Sequence, residues 1–363
     1  MKLLVHYGRP KTGTTSLQHA LYRSRRMLQK HGILYPVARH PREDHRLLSA
    51  LFKLPQDVHP DTRGRFGGDA GRLRAAAQAL FEDIRRQAGR SRPDLLVLSS
   101  ESFFHTATPE GQDRFRGLLA ELASEVEICI YFRDPADLYL SSMQQAVKRS
   151  KGIRPPRPMQ DRRGVEVIEA AFGRPVAACA FDREQLLGGD IVRDFEQRFL
   201  APHLNGPTVA SLRLNESISA EALAILDRYR RWRHREAVAD VGAEIAQLAR
   251  IIAAIEVRNG RFHKPRLKPQ WADEIRRAST DLLWLRDRYG LVFGKVNYEA
   301  IDGQPITDVG PAPRPEDIIE VDEAWRDEIV LELLSRGLRL RESLSLHTMS
   351  ARVFRRLGVA SGR

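Results

Sequence analysis

Residues 8–18 read Gly8-Arg9-Pro10-Lys11-Thr12-Gly13-Thr14-Thr15-Ser16-Leu17-Gln18 (GRPKTGTTSLQ) and join an apolar run, Leu3-Leu4-Val5, to a helical pattern over 14–30. The run reads as a strand ending near Tyr7. Beyond the turn, Leu17, Ala20, Leu21 and Leu28 recur at helical spacing. A strand, a glycine-rich turn and a helix start in that order form an anion cradle, because backbone N–H groups of turn and helix converge. Gly8 and Gly13 have the G-x-x-x-x-G spacing of a nucleotide-binding phosphate loop. The position after Gly13, where a nucleoside-triphosphatase carries lysine, holds Thr14 instead. The loop's lysine is Lys11, and Thr15 fills the Ser/Thr slot. A lysine so displaced reaches the bridging oxygen of a phosphate ester without a metal. The plainer alternative is an ordinary strand–helix turn of small residues.

Outward from this loop, extended and helical patterns alternate. Gly32 precedes Ile33-Leu34-Tyr35, which Pro36 stops. Helices are predicted over 72–86, 111–122, 135–149 and 191–200, and strands over 95–98, 126–132 and 176–181. Repeated βαβ units of this kind predict an α/β fold with a parallel sheet flanked by helices. After about Asn215 the strand signals fade. Ser219 predicts an N-cap for a helix through Trp232, and further helical patterns cover 241–257, 270–288 and 322–335. The expected division is a core over 1–235, a helical extension packed on it over 236–302, a Pro/Gly-rich linker over 303–315 and a basic helical tail over 316–363. Two stretches, 55–71 and the strongly basic 148–164 (KRSKGIRPPRPMQDRRG), read as proline-broken loops.

Composition narrows the classes. The 363 residues are 42% hydrophobic and 29% charged, which excludes a wholly disordered chain. No apolar run approaches the roughly 18 residues of a membrane span, and the N-terminal run is too short for a secretory segment. The two cysteines, Cys129 and Cys179, sit in strand-like runs. They exclude a disulfide scaffold or a cysteine-rich zinc site and predict reduced thiols in a cytoplasmic protein. A net charge of +12 favours an anionic partner. Basic stretches interleaved with aromatics are absent from the sequence, so no specific nucleic-acid partner is expected.

Pro10-Lys11-Thr12-Gly13-Thr14-Thr15 resembles, without a gap, the 5′-phosphosulfate loop of the sulfotransferase family. With the preceding His6-Tyr7-Gly8 and the following Ser16-Leu17-Gln18, the string is similar to bacterial sulfotransferase-like proteins in particular. A second stretch, Arg133-Asp134-Pro135-Ala136-Asp137-Leu138-Tyr139-Leu140-Ser141, resembles the family's R-x-P-x-D-x-x-x-S 3′-phosphate motif. An arginine at a strand's C-terminal end faces the ligand crevice of an open sheet, and its fork suits a terminal phosphate.

The resemblance covers roughly the first 200 residues through these short motifs. It implies a three-layer P-loop-type fold and 3′-phosphoadenosine 5′-phosphosulfate (PAPS) as sulfuryl donor and co-substrate, with no metal. It implies Lys11, Thr12, Gly13, Thr14 and Thr15 around the phosphosulfate, with Arg9 as a further candidate, and Arg133 and Ser141 on the 3′-phosphate. Sulfuryl transfer needs a general base. Glu101, just past the strand over 95–98, resembles the strand-end glutamate of glycan and tyrosylprotein sulfotransferases and is favoured over its competitor His105. A glutamate that merely caps the following turn is the structural alternative. The expected activity moves a sulfuryl group from PAPS to a hydroxyl or amine of an unidentified acceptor, a glycan or small metabolite, and releases adenosine 3′,5′-bisphosphate. The rivals are a metal-dependent P-loop kinase or NTPase, with Asp134 as its carboxylate, and a non-catalytic binder of anionic ligands. Peripheral membrane contact and oligomeric state stay open. Arg258-Asn259-Gly260-Arg261 is a weak counterpart of the family's late Arg-Lys-Gly segment, and His6 reads as a satisfied sheet histidine.

Overall fold

Five parallel strands, β1 (Lys2–Tyr7), β2 (Ile33–Leu34), β3 (Leu95–Ser100), β4 (Glu125–Phe132) and β5 (Ala177–Ala180), form one sheet in the order β2-β3-β1-β4-β5. The computed structural model describes residues 1–37, 44–105, 107–204, 206, 209–210, 217–235 and 241–336. Strands of a parallel sheet bury both faces, so they read as continuous apolar runs. Alternate residues therefore serve two separate cores. Leu3, Val5, Tyr7, Leu96, Leu98, Ile128, Ile130 and Phe132 join one cluster, while Leu4, Leu95, Val97, Cys129, Tyr131 and Cys179 join the other. Both cysteines are reduced and buried.

Among the described residues the helices are α1 (Thr14–Lys30), α2 (Ser49–Phe52), α3 (Pro60–Gly64), α4 (Ala70–Ser91), α5 (Pro109–Ala120), α6 (Pro135–Lys148), α7 (Arg162–Phe172), α8 (Ile191–Phe195), α9 (Ala220–Arg235), α10 (Gly242–Asn259), α11 (Pro269–Arg277), α12 (Asp281–Tyr289) and α13 (Pro315–Ile318). One more covers 323–336. Leu17, Leu21 and Leu28 of α1, with Ile191, Val192 and Phe195 of α8, cover one sheet face. The opposite face is covered by Leu80, Phe81 and Ile84 of α4, Phe115 and Leu119 of α5, Val165 and Ile168 of α7, and Leu282 and Leu285 of α12. Each such side chain contributes about 1.5–3 kcal/mol on full burial. The architecture is thus α/β with helices on both faces and a mainly helical C-terminal region. Strands β1 and β3 are neighbours in register, Tyr7 opposite Ser100. The helices that follow them, α1 and α5, lie on opposite faces, which opens a crevice beyond their C-terminal ends.

Three local expectations are corrected. The single helix over 270–288 is two, because Ser279 Oγ donates to Ile275 O (2.6 Å) and accepts from Met159 N–H (2.8 Å), which ends α11 at Arg277. The helix over 191–200 is α-helical only to Phe195 and continues as a π turn over Glu196–Leu200. The basic loop ends at Asp161, where α7 begins. Asp161 does not cap that helix with its own side chain. Asp281 Oδ2 caps it instead, accepting from the N–H groups of Asp161 (2.5 Å) and Arg162 (2.8 Å).

The chain forms two compact units. The sheet belongs to the first, which comprises Met1–Ser142, Pro156–Glu216 and Ala272–Thr307. The second comprises Met143–Pro155, Ser217–Trp271 and the residues from Asp308 onward. Its core includes Leu223, Leu226, Ile245, Ile252, Ile255 and Trp325. Ser219 Oγ accepts from Ala222 N–H (2.9 Å), as its N-cap reading predicts. The part of the expected tail over 337–363 lies outside the described residues. No helix among the described residues is long and apolar enough to cross a membrane.

Candidate active site

The loop leaves β1 still tied to β3, with Gly8 N–H donating to Ser100 O (3.0 Å). Lys11 (φ 65°) and Gly13 (φ 73°) are both left-handed. For lysine that conformation costs about 1 kcal/mol or more. Thr12 Oγ1–H donates to Arg9 O (2.9 Å) and closes the turn from within. A Cβ on Gly13 would lie 2.9 Å from both Ile191 Cγ2 and Phe181 Cε2, so the turn and its packing require glycine there. Helix α1 then starts with no side-chain cap and no acidic residue in its first turn. The first-turn N–H groups of Thr14, Thr15 and Ser16 have no carbonyl of the helix to bond. They add to the positive end of the helix dipole.

Arg133 follows directly on β4, which pairs with β1 on the side away from β3. Its Nη1–H donates to Lys11 O (2.8 Å), and its guanidinium carbon lies 5.5 Å from the Phe181 ring centre. Burial lowers its pKa from the ordinary arginine value, and nearby Asp137 and Asp134 oppose that shift. The two sequence motifs thus meet: the arginine of the second holds the backbone of the first.

Glu101 begins the turn after β3, and its Oε1 accepts from Thr14 Oγ1–H at the start of α1. It does not cap the turn; Ser100 Oγ does, accepting from Ser102 N–H (3.1 Å). His105 ends exposed at the far side of that turn. Burial, then Lys53, His59 and Arg9, lower its pKa, so the ring is neutral at pH 7. Lys53 Nζ donates to His105 O, and burial brings its own pKa down to about 8.

The other predicted positions are distributed less evenly. Arg9 pairs with Asp161 and stacks 4.2 Å over the Phe104 ring, so it supports the loop from outside. Thr12 and Thr14 are buried, Thr15 is exposed, and Ser141 is half-buried on α6. Asp134 is the N-terminal cap of α6. Its Oδ1 accepts from the N–H groups of Ala136 (2.8 Å) and Asp137 (3.1 Å), and its Oδ2 accepts from Arg276 Nε (2.9 Å). Asp137 pairs with Lys295 (3.0 Å). Arg258 and Arg261, from the weak late match, are committed to ion pairs with Glu332 and with Asp322 and Glu328. His6 Nδ1 lies 2.8 Å from Ser99 Oγ, but its buried Nε2 has no hydrogen-bond partner among the described residues, so it is satisfied there on one nitrogen only. Sequence reasoning missed Asp161, Arg276, Asp281 and Lys295. No local pattern marks them, because each acts on a residue more than a hundred positions away.

Among the described residues, no group of three or more His, Cys, Asp or Glu side chains could hold a metal ion. Comparison with protein-family models, curated proteins and solved structures finds no significant match to this chain.

Proposed function

We propose that the chain is a PAPS-dependent sulfotransferase on a P-loop-type core. The observation that carries this reading is the hydrogen bond from Arg133 to the Lys11 carbonyl, which joins the two phosphate motifs across 122 residues. The sheet order, with the loop rising from central β1 between β3 and β4, is consistent with the same reading. The loop fits an anionic donor. It offers uncapped N–H groups, a lysine and a half-buried arginine, with no acid in the helix's first turn.

In this reading the loop amides of Thr12 to Thr15 orient the phosphosulfate, and Arg133 with Ser141 takes the 3′-phosphate. The acceptor oxygen bonds sulfur as the bond between sulfur and the bridging phosphate oxygen breaks. The acceptor's proton passes to Glu101, which the Thr14 hydroxyl holds beside the loop. Lys11 offsets charge on the departing phosphate oxygen. The products are a sulfate ester and adenosine 3′,5′-bisphosphate. The kinase rival needs Asp134 for a metal, yet both its oxygens are taken by the α6 cap and by Arg276.

Calorimetric titration with adenosine 3′,5′-bisphosphate in metal-free buffer, against magnesium-ATP, tests the reading. Metal-free binding that requires the 3′-phosphate and is lost in Arg133→Ala supports it. Binding of magnesium-ATP alone would sink it and restore the kinase.

A further inference from the structure

The second unit carries a cavity of about 770 Å³ with a strongly one-signed wall. Six arginines line it: Arg228, Arg230, Arg231 and Arg235 from α9, Arg314 before α13, and Arg326 from the helix over 323–336. Only two carboxylates share the wall, Asp227 and Glu316. Asp227 is already divided between Arg230 (2.8 Å) and Arg231 (2.5 Å), and Glu316 faces Arg326 at 3.7 Å. Arg228, Arg235 and Arg314 have no acidic side-chain partner among the described residues.

The placement follows from helix geometry. Ala224, Arg228, Arg231 and Arg235 recur at spacings of four, three and four, which puts them on one face of α9. Like charges at such spacings repel and destabilise a helix. The fold nonetheless adds Arg314 and Arg326 to the same wall from two other segments. Arg230 is buried and Asp227 fully so, which fixes the floor; Arg231 is also held by the carbonyls of Ala312 (3.1 Å) and Pro313 (2.7 Å). Gly152, from the basic proline-broken loop, stands opposite Arg230, where an added Cβ would be 3.8 Å from its Nη2. The volume falls within the range of small-molecule sites. Guanidinium forks arriving from several directions match the tetrahedral oxygens of phosphate groups better than a single planar group.

We infer that this arginine-lined cavity is a second anion site, distinct in its residues from the loop after β1, that takes a small molecule carrying two or more phosphate groups. The inference does not depend on the sulfotransferase reading.

Inorganic tripolyphosphate is the probe, titrated calorimetrically into the full chain at physiological salt. Arg228→Gln combined with Arg314→Gln removes two exposed charges without touching the Asp227 pairs. That double variant is expected to weaken binding about tenfold or more. Arg74→Gln with Arg90→Gln, exposed on α4, is the matched control and should bind as the parent does. Lys11→Ala with Arg133→Ala should retain tripolyphosphate binding. Equal weakening in the α4 control would reduce the effect to net charge and overturn the proposal. So would loss only in the Lys11/Arg133 variant, absence of binding by the parent chain, or binding of heparin or RNA without tripolyphosphate.

Discussion

Lys11 occupies a backbone conformation that lysine rarely adopts, and Arg133 holds its carbonyl in place. If the proposed function holds, Lys11→Ala abolishes sulfuryl transfer while leaving the fold intact, since the left-handed turn loses only a side chain; a transfer assay with a melting curve checks both. Arg133→Ala removes a charged hydrogen bond to the loop and, in the proposed reading, a ligand of the 3′-phosphate. Binding of adenosine 3′,5′-bisphosphate should weaken about ten- to a hundredfold. Glu101→Gln keeps the contact with Thr14 but cannot take a proton. Turnover should fall by about a hundredfold or more with donor affinity nearly unchanged, and normal turnover would transfer the base to His105. At this scale the sequence was legible where chemistry is local. Lys11, Thr14 and Arg133 lie in short motifs and Glu101 follows a strand end, so each is singled out by residues within a few positions of it. The pairing of Arg9 with Asp161 was not legible, because the two lie 152 residues apart.

Elements depend on their ends. Gly13 starts α1 in the left-handed region with no room for a Cβ, so Gly13→Ala should destabilise the protein by about 1–3 kcal/mol. The same change should weaken bisphosphate binding, as calorimetry would register. Helix α7 is capped from α12 rather than by its own sequence. Asp281→Ala should therefore cost about 1–2 kcal/mol, with Asp281→Asn recovering much of it because an amide oxygen still accepts; urea midpoints compare the two. Equal midpoints for parent and Asp281→Ala would mean that the cap contributes nothing. The start of α7 was illegible for this reason. Asp161, the residue in the capping position, spends its carboxylate on Arg9, and the replacement cap arrives from residue 281.

For the whole molecule, buried histidines set an acid limit. Burial lowers the His6 pKa from 6.5 to about 4 and lowers that of His45 as well. Both are neutral in the fold but take up protons near pH 6.5 when unfolded. Their stabilising effect is thus complete above that pH and is lost as pH falls toward the folded values. His6 alone should account for about 3 kcal/mol between pH 6.5 and pH 4. Urea unfolding from about pH 7.5 down to about pH 5 should show a falling midpoint, less steep in His6→Asn. A flat midpoint over that interval would contradict the burial of these rings.

Periodicity, turn residues and capping residues act within a few positions, so the sequence alone determined the strand–turn–helix at residues 2–30, the α/β alternation and the two short motifs around Lys11 and Arg133. The partner of Arg133, the order of the strands around β1, the break before α12 and the gathering of six arginines around one cavity were decided only in the tertiary structure. Each joins residues that are distant along the chain, and packing of the two sheet faces and of the second unit's helices, rather than any local preference, selects which of them meet.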